Sequence, residues 1–481
     1  MPTDKDLLLE YQESMESFLV GAAEDNRRLR RRNRFFRNEI NRLIAAQVQP
    51  GARVADVGCA DGETLAALQP SASLGIDPDK LAIDEAHARH PDLDFQRAFL
   101  HEIDDDCSKQ FDYVVAAGLL EHTFDVYETL KDLSDLCDDS GRLVLVTYSR
   151  LWQPVFKLAE RMGLKAAFPT QNWIPVSELN NLAEQVDLEV VRSNPAILIP
   201  FRIPAISRWV NRWIAPLPLV RHLNFVHMTV LRKQAKALAA ETVSVVIPAR
   251  NESGHIARIL DRLPLLASEQ EVIFVEGNST DDTWVTIKEE CEARSDGYHS
   301  TLKWFQQPGA GKGDAVRFGF EMATGDVLII LDADISVPPE ELTKFVAVIA
   351  NGKAEFANGS RLVYDMEGGA MRFLNLLGNR FFGMLFSFLL GQPVRDTLCG
   401  TKVLTRCNYE RIAANRQHFG EFDPFGDFDL LFGAAYLNLR IRDVPVHYRA
   451  RTYGDTNISR FRHGAILLKM SWVAARRIRF V

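Results

Sequence analysis

The chain has 481 residues, 47% of them hydrophobic and 25% charged, with 64 acidic against 56 basic side chains and a formal net charge of −8. That length holds roughly three domains of about 150 residues or two larger α/β units, each with enough apolar residues for its own core. The acidic balance excludes a general nucleic-acid binder, the lack of any run of about eighteen apolar residues argues against a transmembrane anchor, and the six cysteines show no paired metal spacing. With the acidic opening Met1-Pro2-Thr3-Asp4-Lys5-Asp6 showing no secretory pattern, reduced thiols and a cytoplasmic location are expected.

From Leu7 to about Ala46 the pattern reads as one helix, and residues 1–47 are expected to form a helical extension. Arg27, Arg28, Arg30, Arg31, Arg32, Arg34 and Arg37 spread around its surface with Phe35 and Phe36 among them. They are read either as a solvated face paired with Glu24, Asp25 and Glu39 or as a contact for lipid phosphate or a membrane.

Val54-Ala55-Asp56-Val57-Gly58-Cys59-Ala60-Asp61-Gly62 is a strand running into a glycine turn, with a helix beginning near Glu63. A second strand, Leu74-Gly75-Ile76-Asp77, ends in an acid nineteen residues after Gly58. A glycine turn followed by such an acid places an adenosine ligand across the strand ends, its ribose on the carboxylate. The stretch resembles motif I of class I S-adenosylmethionine-dependent methyltransferases, with Ala60 where the middle glycine usually stands. Phe111 to Ala116 resembles their fourth strand, Leu120-Glu121-His122 the signature after it, and Gly141 to Thr147 reads as the fifth strand. The resemblance implies S-adenosyl-L-methionine bound by Asp56, Gly58, Ala60, Gly62 and Asp77. Methyl transfer to oxygen then needs an aligned hydroxyl and a base, for which His122 or Glu121 is the candidate, the alternative being a structural role. The methyl acceptor is unknown.

Residues 195–220 carry five prolines among large apolar residues, which read as a flap or a contact surface. A last strand near Val226 to Leu231 closes a domain spanning 48–231, and the polar, alanine-rich stretch 232–242 reads as a linker.

Three further apolar strands follow. They close on Pro248-Ala249-Arg250-Asn251-Glu252, on Glu276-Gly277-Asn278-Ser279-Thr280-Asp281-Asp282-Thr283, and on Asp332-Ala333-Asp334. Breaking a sugar–phosphate bond releases a nucleoside diphosphate whose charge must be neutralised, and a divalent cation on hard carboxylates does so directly. Asp332 and Asp334, two apart on extended backbone after the buried Val327 to Leu331, would project to one side at the end of the strand, where open α/β sheets bind ligands. Residues 243–465 resemble a family 2 inverting glycosyltransferase of GT-A fold, nearest the dolichol-phosphate mannosyltransferase and dolichyl-phosphate glucosyltransferase branch. The resemblance is carried by Val245 to Glu252, Gly311-Lys312-Gly313-Asp314-Ala315-Val316-Arg317, Leu331 to Asp334, Gly359-Ser360-Arg361 and Val394 to Lys402. It implies that Pro248, Arg250, Glu252, Glu276 and Asp281 line the pocket of a nucleotide-diphosphate sugar, that Lys312 meets the diphosphate, and that Asp332 and Asp334 hold Mg2+ or Mn2+. Glu276-Gly277 stands where the family usually has two aspartates.

Of two candidate acceptors, a polyprenyl-phosphate-type lipid is the expected one, with a glycan hydroxyl as the alternative. A lipid phosphate is already ionised near neutral pH, and Arg361 and Arg395 suit it, together with the apolar run Phe381 to Leu390. A sugar hydroxyl needs a base, for which Asp427 or Asp429 is the candidate unless these cap the following helix, Leu430 to Leu439. The tail, 466–481, interleaves Lys469, Arg476, Arg477 and Arg479 with Ile466, Leu467, Leu468, Trp472, Val473 and Ile478. That is a basic amphipathic pattern for resting on anionic lipid, so a peripheral membrane location is expected. The expected architecture is two Rossmann-like three-layer α/β/α domains, a class I methyltransferase fold followed by a GT-A fold. The expected activity is a bifunctional one, serving one glycoconjugate pathway. A non-catalytic, cofactor-sensing first half is the other possibility.

Overall fold

The computed structural model describes residues 4–103, 110–164, 167–235, 237, 241–364, 373–418, 428–449 and 460–480. The chain divides into two compact units, Met1–Gln234 with Phe480–Val481 and Ala235–Arg479.

The first unit is built on β1 (Arg53–Val57), β2 (Ala72–Ile76), β3 (Phe95–Gln96), β4 (Phe111–Ala117), β5 (Cys137–Tyr148), β6 (Leu188–Ala196) and β7 (Val226–Lys233). Their order across the sheet is β3-β2-β1-β4-β5-β7-β6. The first five are parallel, and β7 runs antiparallel between β5 and β6. Parallel neighbours need crossovers, which helices supply. Two of these start on aspartate caps: Asp79 accepts from the amides of Leu81 and Ala82, and Asp125 from those of Tyr127 and Glu128. Period-two alternation gives the sheet two buried faces. Ala55, Val57, Val114 and Ala116 enter one cluster, and Val54, Tyr113 and Val115 the other.

The second unit is built on β8 (Thr242–Ala249), β9 (Glu269–Glu276), β10 (Thr301–Gln306), β11 (Val327–Ile330), β12 (Phe356–Ser360), β13 (Lys402–Thr405) and β14 (Ile441–Pro445). The order is β10-β9-β8-β11-β13-β12-β14. The first four are parallel, β13 is antiparallel to both neighbours, and β12 and β14 are parallel. Val243, Val245, Ile247 and Ala249 of β8, with Val327, Ile329 and Leu331, line one face of the core. Both units are therefore α/β with parallel-dominated sheets, as the strand patterns imply.

Three local expectations change. The single N-terminal helix is three, Asp4–Gly21, Ala23–Arg32 and Arg34–Ala45. The second break falls at Asn33, with φ −90° and ψ 17°, a residue type that competes poorly for helix interiors. Strand β11 stops at Ile330. Leu331 still donates its amide to the Val246 carbonyl at 3.0 Å, but Ala333 and Asp334 already form a turn, so extended-strand alternation is not what orients Asp332 and Asp334. The basic tail begins inside the helix Arg460–Ala474, which continues as a π-turn over Ala475–Arg479.

Candidate active sites

In the first unit a cavity of about 1010 Å³ opens at the carboxyl ends of β1, β2 and β4, within the size range of small-molecule sites. It brings together Asp56, Gly58, Ala60, Asp77 and His122; Gly62 stands just behind the turn. Gly58 and Gly62 hold φ of +80° and +73°, and Ala60 is in the left-handed region too, at +48°. A non-glycine residue there is strained by roughly 1–2 kcal/mol. Its amide is held by Asp77, whose Oδ2 accepts from Ala60 at 2.9 Å while Oδ1 accepts from Asp79 at 2.9 Å.

Asp56 differs. Its carboxylate is 2% exposed and Oδ2 has no hydrogen-bond partner. Burial, then the neighbouring Asp77, pushes it up to about 7, and burial raises Asp77 to about 6. Two carboxyls held against ionisation in one cavity suit a cationic ligand. S-adenosylmethionine, with its sulfonium and ammonium, fits that requirement and the volume. His122 donates from Nδ1 to the Thr170 carbonyl at 3.1 Å, because a carbonyl only accepts, and its ring stacks on Phe168 with centroids 3.9 Å apart. A neutral His122 therefore carries its lone pair on Nε2. Glu121, the other base candidate, is 5% exposed and accepts from the Tyr148 amide at 2.5 Å.

The N-terminal helices form a wall of this cavity, which sequence reasoning missed. Tyr11, Met15, Asn26 and Phe36 line it. Tyr11 donates its hydroxyl to the His122 carbonyl at 2.6 Å, and Arg37 pairs with Asp61 in the glycine turn. The acids that hold the arginines are largely on the domain, Asp61, Asp79 and Glu85, rather than on the helix itself.

In the second unit the first two strand-end loops are stitched together. Asn251 accepts from the Thr280 amide at 2.8 Å, its own amide donates to the Ser279 hydroxyl at 3.0 Å, and the Glu252 amide donates to Thr283 Oγ1 at 2.9 Å. Burial would raise Asp281, yet hydrogen bonds from Thr283 and Ser253 hold it below the usual carboxylate range. Glu276 is 1% exposed and accepts from the Ser279 amide at 2.5 Å and from Gln306 at 3.2 Å, so it shapes the loop. Glu252 is buried against His255 at 2.8 Å, whereas Pro248 and Arg250 border these loops at the end of β8.

Lys312 opens the helix Lys312–Met322 behind Gly311, whose φ is +90°. Its Nζ pairs with Asp332 Oδ1 at 2.7 Å, both side chains partly buried. Gly400 closes on this pair: a Cβ there would lie 1.9 Å from Asp332 Oδ2 and 2.5 Å from Lys312 Nζ. Three separate motifs of the sequence thus meet at one point. Asp334 Oδ1 accepts from the Ser336 amide at 3.0 Å. Among the described residues no group of three or more His, Cys, Asp or Glu forms a metal cage. Two carboxylates nevertheless suit a cation whose shell is completed by water and diphosphate oxygens.

Of the remaining candidates, Arg361 is committed internally. It donates to Asp396 at 2.7 and 2.9 Å, and the ion pair holds the buried Asp396 down at about 2. That leaves little of its fork for the acceptor phosphate expected of it. Arg395 is exposed, and its backbone amide is anchored on Asp443 at 2.7 Å. Asp429 is 8% exposed and lies 3.4 Å from Arg317 and 3.3 Å from Arg416. Asp427 lies outside the described residues.

Comparison with known proteins gives a family to each half. The profile described as glycosyl transferase family 2 matches residues 244–411, and one described as a methyltransferase domain matches residues 28–193. The glycosyltransferase AglJ of Haloferax volcanii is 30% identical over 47% of this chain and 70% of its own length. The low-salt glycan biosynthesis hexosyltransferase Agl6 of the same organism is 28% identical over 47% of this chain. An undecaprenyl-phosphate 4-deoxy-4-formamido-L-arabinose transferase of an Enterobacter species is 25% identical over 47% of this chain and 64% of its own length. The chain spans only about half of Agl6, 52%.

Two outcomes follow from this geometry. With a folded carboxyl at about 7 against an ordinary 3.8, the folded state holds the Asp56 proton more tightly than the unfolded chain, so stability falls as pH rises between these values and is level above them. Asp56→Asn is expected to flatten that slope and to stabilise the protein at pH 8 by up to about 4 kcal/mol, read from melting temperatures at pH 5 and pH 8; an unchanged slope would contradict the burial argument. Gly400→Ala is expected to lower sugar transfer about 100-fold by displacing the Lys312–Asp332 pair, with S-adenosylmethionine affinity unaltered as the folding control; full transferase activity would show the pair is not needed where it stands.

Proposed function

Because the chain belongs to glycosyl transferase family 2 and carries a methyltransferase domain in the same polypeptide, we propose that it moves a sugar with inversion from a nucleotide-diphosphate donor to a polyprenyl-phosphate-type lipid, and a methyl group to a molecule of the same glycoconjugate pathway. The observation that carries the first activity is the junction of Lys312, Asp332 and Gly400 beside the stitched loops of β8 and β9. A nucleoside bound across those loops, along Pro248, Arg250 and Asp281, brings its diphosphate to Lys312. There the lysine exchanges a carboxylate for phosphate oxygens. Asp332 and Asp334 would hold Mg2+ or Mn2+, which neutralises the departing diphosphate. The acceptor oxygen attacks the anomeric carbon from the face opposite the leaving group, forming one C–O bond as the other breaks.

A phosphate acceptor needs no base, and this favours it over a glycan hydroxyl. Asp429, the described candidate for that base, is buried in ion pairs with Arg317 and Arg416 rather than open to an acceptor hydroxyl. Arg395 remains to meet the lipid phosphate. The name of the 25% identical Enterobacter relative supports a lipid-phosphate acceptor as well. Among the described residues no helix is long and apolar enough to cross a membrane. Leu377, Phe381 and Met384 are nevertheless exposed along the helix Phe373–Leu390, and Leu468 and Trp472 on the helix packed against it, with Lys469, Arg476 and Arg477 also exposed. This is a surface for docking peripherally on anionic lipid.

In the first unit, S-adenosylmethionine supplies an electrophilic methyl group when bound. Asp56 would meet its cationic end and Asp77 its ribose, and His122 Nε2 would take the proton of the acceptor hydroxyl.

Radiolabel from the nucleotide sugar is expected in a chloroform-soluble, mild-acid-labile product, with about a 1000-fold loss in Asp334→Ala and no change in S-adenosylmethionine binding. Label found only in aqueous polymer would reject the lipid acceptor, and loss of both functions would reject independent sites. Phosphatidylglycerol vesicles should sediment the native chain but not Leu468→Ser/Trp472→Ser; equal sedimentation removes the docking surface.

A further inference from the structure

Beside the cofactor cavity lies a second one of about 540 Å³, and its walls are almost entirely charged. Arg27, Arg30, Arg31, Arg34 and Arg37 come from the two short helices of the extension and Arg89 from the end of the helix Lys80–Arg89. Arg27, Arg30 and Arg31 stand at i, i+3 and i+4 on the first of these helices, and Arg34 and Arg37 at i and i+3 on the second, so each helix turns one face to the cavity. These five are not spread around the surface, as the sequence suggested. Only Arg28 and Arg32 of the seven stay outside.

The charges do not balance. Asp61, Glu63 and Glu85 are the acids in the wall, and Asp79 reaches Arg30 from outside it, so six guanidiniums against these four carboxylates leave a formal excess of two positive charges. Arg27, Arg30, Arg37 and Arg89 each reach one or more of the acids. Arg31 and Arg34 are exposed, and their guanidiniums have no hydrogen bond or ion pair among the described residues. Gathering like charges in a concavity is unfavourable in the absence of an anion, and guanidiniums are suited to bidentate phosphate contacts.

The position of the second cavity says what that anion belongs to. Arg30 and Arg37 line both cavities, so an anion held by the cluster sits next to the methyl-transfer site. Arg30 also presents a buried Nε with no hydrogen-bond partner. Arg27, Arg31, Arg34 and Arg89 line only the second cavity, so they serve a group lying outside the cofactor, whose single carboxylate two arginines would satisfy.

Resting on the reading of this unit as a methyltransferase, we propose that the methyl acceptor carries a phosphate group and that this arginine cavity binds it, with the body of the acceptor reaching past Arg30 and Arg37 toward His122. The cluster is then a specificity site: it selects phosphorylated acceptors over neutral sugars and fixes the distance between phosphate and methylated oxygen.

Pyrophosphate is titrated calorimetrically into the full chain in EDTA, in a Lys312→Ala background that removes the diphosphate contact proposed for the other half. Arg31→Gln/Arg34→Gln, which breaks no internal pair, is expected to weaken binding about tenfold or more while S-adenosylmethionine affinity stays within about twofold. Equal pyrophosphate affinity with and without the two arginines overturns the proposal. Parallel loss of S-adenosylmethionine affinity also overturns it, because the cluster would then serve the cofactor. Loss of phosphatidylglycerol vesicle binding in the variant without loss of pyrophosphate binding overturns it in favour of a membrane face. A native chain that binds pyrophosphate at the cluster but not S-adenosylmethionine refutes the methyltransferase reading instead.

Discussion

Carboxylates at the carboxyl ends of parallel strands have to be neutralised, and how each is neutralised decides what the site can do. Parallel sheets leave their strand-end loops close together, and function concentrates acids there. In the second unit each acid has an internal answer. Lys312 meets Asp332, backbone and glutamine donors meet Glu276, and hydroxyls and amides meet Asp281. In the first unit Asp56 is left with an unpartnered oxygen and Asp77 with only backbone amides, and both resist ionisation.

That contrast separates the two sites. Under the proposed function, the lysine-held acid of the second unit would trade its partner for a diphosphate. The buried acids of the first unit, whose ionised forms burial disfavours, would be relieved by a ligand bearing positive charge. The extension belongs to the site of the first unit. Its arginines tie Asp61 of the glycine turn and Asp79 at the start of the helix after β2, so the wall of the cavity and the glycine turn are held by the same ion pairs.

Much of this was legible in the chain. Short apolar runs ending near Asp56, Asp77, Glu252, Glu276 and Asp332 gave the sheets and the end where the sites lie, because apolar runs and glycine turns are local signals. What depended on tertiary placement was not. Nothing within Val394 to Lys402 says that Gly400 rests on Asp332, and nothing around Gly359-Ser360-Arg361 says that Arg361 would be consumed by Asp396. The arginine run read equally as a solvated face or as a contact for lipid phosphate or a membrane, since its partners, Asp61, Asp79 and Glu85, lie up to about sixty residues downstream. The strand carrying Asp332 was read one residue too long because Leu331 remains buried and hydrogen-bonded after the regular ladder has ended.

Under the proposed function, Asp332 is released from Lys312 to a cation only when a nucleoside diphosphate is present. Electron paramagnetic resonance of Mn2+ titrated into the chain, alone and with UDP or GDP, reads that release. Weak Mn2+ uptake alone, at least about tenfold tighter with one of the nucleotides and abolished by Asp332→Asn/Asp334→Asn, is the expected result. Mn2+ binding that ignores both nucleotides, or survives the double substitution, would contradict it.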